Sequence, residues 1–410
     1  MSERKVGWSA EAILLGSGMF GNIAMSTLSP ALPKIELSFG GAEADYLTKM
    51  VVSATGLGVI VVSPFTGTLV RRFGRRPVVI GAYTAFLLFG LVGMILPSLP
   101  LIIASRFVTG GAAAVVVAMG LILIGDFYQG RPRERRIGAS HAIGALLVAG
   151  IIPIAGYLAD ISWRLAFLVH VAALPMLIIA IGSREIGGVH EVAPLAPGAK
   201  RTRIPPAVWL IMLLTLMAGG IGYSVQIFMP FHLRGIGAQS AGLAGTMLGI
   251  CVLFSVLTSF LYAEVRRFAS VAAVFALVMF GWSIGLAVTA LTTTVTGTLI
   301  GMIVIGLAGG LVGPNIFSAV SALTTDSARA HSVGMTKGVY YFGPFFGPTV
   351  LQLLSLQTHA DQALIALAAF AAGFGVLCAI TALIVRSRRP AVAGPQLDAA
   401  FEAELEADRA

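Results

Sequence analysis

Charge is what this 410-residue chain has least of: Asp, Glu, Lys and Arg make up 11% of it, and hydrophobic residues 57%. Soluble domains carry about 25% charged residues, so no water-facing surface can be built from this composition, and an integral membrane protein is left. Cysteine is nearly absent too. Cys251 and Cys378 both sit in apolar runs, which argues for packing and against a disulfide framework or a zinc site. Acid is scarcer than base, and all 18 Asp and Glu fall outside the centres of the apolar runs. The sequence has no nucleotide-binding glycine loop, metal cluster or nucleophile with its base and orienter, and its polar breaks are too short for a catalytic domain. An enzyme or an ATP-driven pump is therefore not expected, and no cofactor or metal is called for.

What the chain does have is apolar runs of about 20 residues, the length a helix needs to cross a hydrocarbon core of about 30 Å. Twelve spans are placed, at 10–32, 46–66, 77–97, 100–125, 137–159, 164–182, 208–230, 241–262, 270–291, 297–322, 332–356 and 361–385. The first follows Arg4 and Lys5 as a signal peptide would, but it is long and ends in SPALP instead of a small-residue cleavage site, so it is kept as a span. All but six of the 27 Lys and Arg lie at the termini or in breaks 2/3, 4/5, 6/7, 8/9 and 10/11; the six are Lys34, Lys49, Arg106, Arg164, Arg234 and Lys337. Short loops rich in Lys and Arg stay cytoplasmic. Both termini are thus assigned to the cytoplasm, and the net charge of +9 reads as loop retention, not as a nucleic-acid footprint. The longest internal break is rich in Gly, Pro and Ala and divides the chain into a first bundle (1–182), a linker (183–207), a second bundle (208–385) and a cytoplasmic tail (386–410). Weak repetition favours duplication. TGGAAA at Thr109 to Ala114 answers to AGGLVG at Ala308 to Gly313, and Gly138-Ala-Ser-His141 to Gly334-Met-Thr-Lys337.

Residues 67–76, GTLVRRFGRR, set four arginines in a glycine-punctuated turn, read as a short cytoplasmic hairpin between spans 2 and 3. The spacing Gly67-x-Leu69-x-x-Arg72-x-Gly74-Arg75-Arg76 resembles the signature loop of the major facilitator superfamily of secondary transporters, with Arg71 at the family's acidic position. Ile102-x-x-x-Arg106-x-x-Thr109-Gly110-Gly111-Ala112-Ala113 resembles its helix 4 pattern, with Thr109 at the glutamine position. Ala159-Asp160-Ile-Ser-Trp163-Arg164-Leu-Ala-Phe167 resembles the external end of helix 5 in its drug exporters. The helix 5 antiporter pattern survives only as Pro153 and Gly156, with Ile152 and Tyr157 at glycine positions; Gly343-Pro344-Phe-Phe-Gly347-Pro348 of span 11 fits it better. The resemblance implies an all-α membrane fold, twelve helices in two pseudo-symmetric six-helix bundles, most like the drug:proton antiporter branch and working by alternating access. It also implies a conformational gate from Gly67, Arg71, Arg72, Gly74 and Arg75. Because Arg71 reverses the family's charge, its expected partner across the halves is Asp326, the one acid of break 10/11.

Polar groups inside a membrane are costly unless they face protein or a water-filled cavity, and each has two readings. Asn22 and Ser26, four residues apart, share a face of span 1, which lines the cavity in the resembling family; the alternative is packing through interhelical bonds. Tyr223 and Gln226 share a face of span 7 beside Gly219-Gly220-x-Gly222 and are assigned to substrate. Asn315 follows Pro314 and is read as satisfying a carbonyl that the proline frees. Arg106 lies roughly 9 Å into span 4; in the resembling exporters this arginine serves proton translocation or substrate, and the alternative is a bond to backbone carbonyls. Lys337, about one turn into span 11, joins Asn22, Ser26, Arg106, Tyr223 and Gln226 as a substrate-binding candidate, with snorkelling to the interface as its alternative. The acid that such antiporters often hold in helix 1, before the proline of ALP, falls on Ala24. Proton coupling is therefore assigned to Glu11, Asp126 and His141, the last with an unperturbed pKa near 6.5 that suits exchange.

The expected function is export of amphipathic small molecules in exchange for protons across a bacterial-style inner membrane. An aromatic set, Phe20, Tyr223, Phe228, Tyr340 and Tyr341, is expected to give adaptable apolar contact. Two alternatives stay open: uptake or facilitated passage of an organic anion, motivated by the embedded Arg106 and Lys337, and a non-transporting receptor of the same fold. The expected partners are the lipid bilayer, a small-molecule substrate and protons, with no nucleic acid, and the chain is expected to act as a monomer.

Overall fold

Backbone in hydrocarbon must satisfy its own hydrogen bonds, and in this computed structural model the chain does so with helices. The structure describes residues 7–41, 43–183, 185–187, 205–324, 326–354 and 360–387, and no strand occurs among them. The long helices are α1 (Trp8–Phe39), α2 (Ala44–Phe73), α3 (Arg75–Val92), α4 (Leu99–Phe127), α5 (Gly130–Ile161), α6 (Trp163–Gly182), α7 (Pro206–Gly235), α8 (Ala241–Ser259), α9 (Val271–Leu291), α10 (Val295–Leu323), α11 (Asp326–Leu354) and α12 (Ala360–Ser387). Among the described residues, eleven of them are long and apolar enough to cross a membrane. α11 is described only in part; its 29 residues include two prolines, two tyrosines and Lys337. It is long enough to span at 1.5 Å per residue but more polar than its neighbours.

The helices overrun the apolar runs, because an aqueous interface does not stop a helix while glycine and proline do. The expected hairpin at 67–76 is corrected accordingly: residues 66–73 continue α2, and the reversal is made at Gly74 alone. Gly74 has φ 81°, a conformation side chains other than glycine rarely adopt. In α1 the SPALP stretch does not end the helix; it passes through a 3-10 turn at Ser29–Ala31 and continues to Phe39, where Gly40 at φ 60° ends it.

The first six helices pack as one bundle and the last six as another. Equivalent contacts hold each together. In the first, α4 presses on α2 so closely that a Cβ on Gly110 would fall 2.0 Å from the Thr55 carbonyl oxygen; in the second, α10 presses on α8 and a Cβ on Gly310 would fall 2.1 Å from that of Ser255. Between the halves, α5 runs along α8 and α2 along α11, pairs that exchange under the two-fold relation of the repeats.

Contacts between the halves gather at one end of the molecule, here the latched end. There the Asp160 carboxylate of α5 reaches the start of α8, accepting from Ser240 Oγ at 2.6 Å, Ala241 N at 2.8 Å and Gly242 N at 2.9 Å, and it also accepts from Lys34 Nζ at 2.6 Å. Arg234 of α7 pairs with Glu36 at 3.0 Å and donates to the Pro33 carbonyl at 3.3 Å. Lys49 of α2, held by Asp45, stands 5.4 and 5.3 Å over the rings of Phe228 and Phe231. At the opposite, basic end, the ion pairs Arg75–Asp126 (2.9 Å) and Arg136–Glu11 stay inside the first half.

Candidate functional site

Seven helices from both halves line a cavity of about 200 Å³. Asn22 and Ser26 come from α1, Val148 and Ile152 from α5, Tyr223 and Gln226 from α7, Leu248, Cys251 and Ser255 from α8, Trp282 from α9, Ile305 and Gly309 from α10, and Tyr340 from α11. The four-residue spacing in α1 and the three-residue spacing in α7 bring the four expected residues to one wall system. Glycines let the helices close around it: a Cβ on Gly219 would lie 2.7 Å from the Tyr340 carbonyl oxygen, so α7 and α11 meet backbone to backbone.

The wall is largely apolar, with uncharged polar groups set into it. Gln226 Oε1 is buried without a hydrogen-bond partner, and the side chains of Asn22 and Ser26 and the hydroxyls of Tyr223 and Tyr340 have none among the described residues. Tyr223, Tyr340 and Tyr341 form a chain of rings with centroids 5.8 and 5.9 Å apart. Trp282 gives its indole N–H to the Ile305 carbonyl at 3.0 Å, so only its apolar face is offered. Among the described residues no Lys, Arg, His, Asp or Glu lines the cavity. Such a wall presents donors and acceptors to a bound molecule on an otherwise apolar surface, the usual composition of a small-molecule site.

Arg106 is elsewhere. It is buried in the first half, where its guanidinium donates to the Ala24 carbonyl and to His170 Nε2 at 2.8 Å, leaving Nε without a partner. The bond to a backbone carbonyl replaces the expected place in the cavity. His170 was not foreseen. Its Nδ1 donates to the Phe167 carbonyl at 2.8 Å, so Nε2 is the lone-pair nitrogen and the ring is neutral. Trp163–Ala172 is a 3-10 helix, in which residues three apart eclipse, and this sets His170 over Phe167. The signal available in the sequence was a lone histidine in an apolar span.

Other expectations divide as follows. Of the aromatic set, Phe20 lies in the first-half core, edge-on to Tyr83 and Phe86, and Phe228 lies under Lys49. Asn315 answers no carbonyl freed by Pro314; it donates to Val271 O at 3.1 Å and accepts from the Tyr262 hydroxyl at 3.3 Å. Glu11 and Asp126 are each paired with an arginine at the basic end, and His141 is half-buried in α5. Arg71 is exposed and donates to Thr68 Oγ1 at 3.1 Å within its own helix, Arg72 stacks on Phe73, and Gly67 lies beside Arg71. The side chains of Asp326 and Lys337 lie outside the described residues.

Two bundles, a cavity between them and closure at one end is the geometry of an alternating-access carrier, and a family model described as Major Facilitator Superfamily matches residues 14–348. The chain belongs to that superfamily. It is a multi-pass membrane protein. Among curated relatives, the cephamycin export protein CmcT of Amycolatopsis lactamdurans is 29% identical, over 60% of this chain and 47% of its own length. The multidrug transporter protein MdtP of Bacillus subtilis is 26% identical, over 58% of this chain and 45% of its own. The chain thus spans about half the length of these relatives. The 3-(3-hydroxy-phenyl)propionate transporter of Escherichia coli is 25% identical, over 95% of this chain and 98% of its own. Among solved structures, the inward open xylose transporter XylE from E. coli superposes with a TM-score of 0.69 at 14% identity, covering 90% of this chain and 94% of that one. That likeness concerns the fold.

Proposed function

We propose that this facilitator exports amphipathic, uncharged or weakly cationic small molecules in exchange for protons. It does so by alternating access across an inner membrane, with both termini and the basic end in the cytoplasm. On that orientation the latched end is external. The observation that carries the reading is the cavity wall, where unpartnered amide and phenol groups stand among apolar side chains with no described charge. Such a wall favours molecules that hydrogen-bond without carrying an anion. The name of CmcT, an export protein, supports export.

A second reading, passage of an organic acid, is favoured by the full-length similarity to the hydroxyphenylpropionate transporter, and Arg106 lends it nothing from its buried place. Flux in proteoliposomes separates the two. Neutral and cationic amphipaths should move against an imposed proton gradient, and carboxylates should not. Movement of carboxylates alone would install the second reading.

A further inference from the structure

The cavity has two unlike sides. On one, α7 packs on α1 and on α11, and these three helices bring Asn22, Ser26, Tyr223, Gln226 and Tyr340. Ser26 and Tyr223 are each 4% exposed, yet their hydroxyls, like Gln226 Oε1, have no hydrogen-bond partner among the described residues. Buried polar groups are costly when unpaired, and these line the one space a ligand can fill beside them. On the other side, α8 packs on α5 and α10. Here the wall is Ile152, Leu248, Val252, Met302 and Ile305, with Ser255 as its one hydroxyl among the described residues.

Trp282 completes the apolar side from behind it. Its helix, α9, is an outer one that packs on α10 and α12 and leaves Leu277 and Ile284 exposed. The indole reaches the cavity through a window between inner helices: a Cβ on Gly222 of α7, or on Gly309 of α10, would lie 3.3 Å from the ring. With the N–H given to the Ile305 carbonyl, the ring is fixed and presents a flat apolar surface. Gly222 and Gln226 are one turn apart on the same face of α7, so the window and the unpaired amide are about 6 Å apart along the helix, close to the width of an aromatic ring. The whole space, about 200 Å³, is smaller than the roughly 300 to 1,000 Å³ of pockets that take drug-sized ligands.

We propose that the substrate is a flat, uncharged aromatic of one or two rings with its hydrogen-bonding groups along a single edge, seated with one face on Trp282 and that edge on α1 and α7. The proposal rests on the reading of this cavity as the substrate site and narrows the amphipathic class given above. Amides and hydroxyls both donate and accept, so the edge they fit is one that does both: neighbouring hydroxyls or a carboxamide. A second polar group on the opposite edge would be pressed against Leu248, Val252 and Met302 without a partner, which is costly. Asn22 belongs to the first half and Gln226 to the second, so one polar edge engages both.

The test is calorimetric binding to the full-length protein in lipid nanodiscs, corrected for empty nanodiscs. The probes are naphthalene-2,3-diol, with both hydroxyls on one edge, and naphthalene-2,6-diol, with them on opposite edges; the two match in size and apolar area. The first should bind about fivefold or more tighter, the least that one unpaired buried hydroxyl costs, and Gln226→Leu should remove most of that preference. Equal affinity, a reversed preference or no binding of either overturns the proposed class. Trp282→Leu should weaken both isomers by a similar factor and spare the preference. Gly222→Ala, which moves the indole without removing it, should do the same in a milder change that keeps the test open if Trp282→Leu misfolds. Affinities unmoved by Gly222→Ala and by whichever Trp282 variant folds, Leu or Phe, overturn the stacking surface. A protein that prefers the first isomer yet moves neither against a proton gradient in proteoliposomes keeps this class and refutes export. One that exports other amphipaths while binding the two isomers alike keeps export and refutes this class.

Discussion

A guanidinium inside a helix bundle must find acceptors, and Arg106 takes one from the backbone and one from a ring. The backbone one is the Ala24 carbonyl, at the position where resembling exporters often carry an acid, so the arginine reaches the vacated place through main chain. The other, His170 Nε2, accepts only while the ring is neutral. Removing one partner of a buried pair costs more than removing both. His170→Leu should therefore lower stability by about 1 to 3 kcal/mol, Arg106→Met by less, and the double variant should recover part of the His170→Leu loss; thermal unfolding in detergent measures all three. A double variant worse than His170→Leu would mean that Arg106 does not depend on the ring. Arg106 was legible in the sequence as an intramembrane cation, and Asn22, Ser26, Tyr223 and Gln226 as polar pairs at helical spacing. His170 was not, because its place follows from a 3-10 register that apolar composition does not encode.

At the scale of the helix, the interface between halves is made by small residues. Along α5 and α8, a Cβ on Gly249 would fall 2.5 Å from the Ala149 carbonyl oxygen, one on Gly245 2.7 Å from that of Ile152, and one on Gly156 2.3 Å from that of Ala241. Pro153 and Gly156 are what remains in α5 of the antiporter pattern, and both face α8 at this seam. Backbones this close leave no room for a side chain, whereas the same helices can carry one when the halves part. Gly249→Val should thus favour the state open at the latched end while leaving each bundle folded. Cross-linking of cysteines introduced at Tyr157 and Thr246, whose hydroxyls meet across the seam at 3.4 Å, should fall in the variant; unchanged cross-linking with normal expression would show that the seam yields elsewhere. The sequence marked α11 by its glycines and prolines but not the reason for its polarity, which is the wall it shares with α7 around the cavity. Nor did it mark the helical course of residues 66–73, since arginines next to glycine read as a loop when the partner surfaces are unseen.

Taken whole, the molecule is two similar bundles leaning together at one end, and the balance between its states depends on what joins them there. The apolar helices and the clustering of basic residues were legible because hydrophobic length and loop charge are set by the bilayer; the latch was not, because its members come from α1, α2, α5, α7 and α8 and meet only in the folded chain. Asp160 is its centre. The α8 N-terminus is capped from within by Ser240, which accepts from Leu243 N at 3.1 Å, and from the other half by Asp160, whose two bonds to the free amides of Ala241 and Gly242 exist only while this end is closed. An anion at a helix N-terminus contributes about 0.3 to 1 kcal/mol, and up to about 2 in partly buried geometry; the Lys34 pair, within the same half, adds little to the difference between states. A loss of about 1.4 kcal/mol moves an equilibrium tenfold. Asp160→Ala should therefore raise the fraction open at the latched end by several-fold to about tenfold. Native Cys251 lies in the cavity wall and Cys378 is buried in α12, so alkylation of Cys251 by a membrane-impermeant maleimide applied from the latched side reports that fraction directly. Labelling should rise in Asp160→Ala and return towards the wild-type rate in Asp160→Glu, which restores the anion. Equal labelling of wild type and Asp160→Ala would show that the carboxylate caps α8 without biasing the states, and that the closed end is held by Arg234–Glu36 and the Lys49 contacts instead.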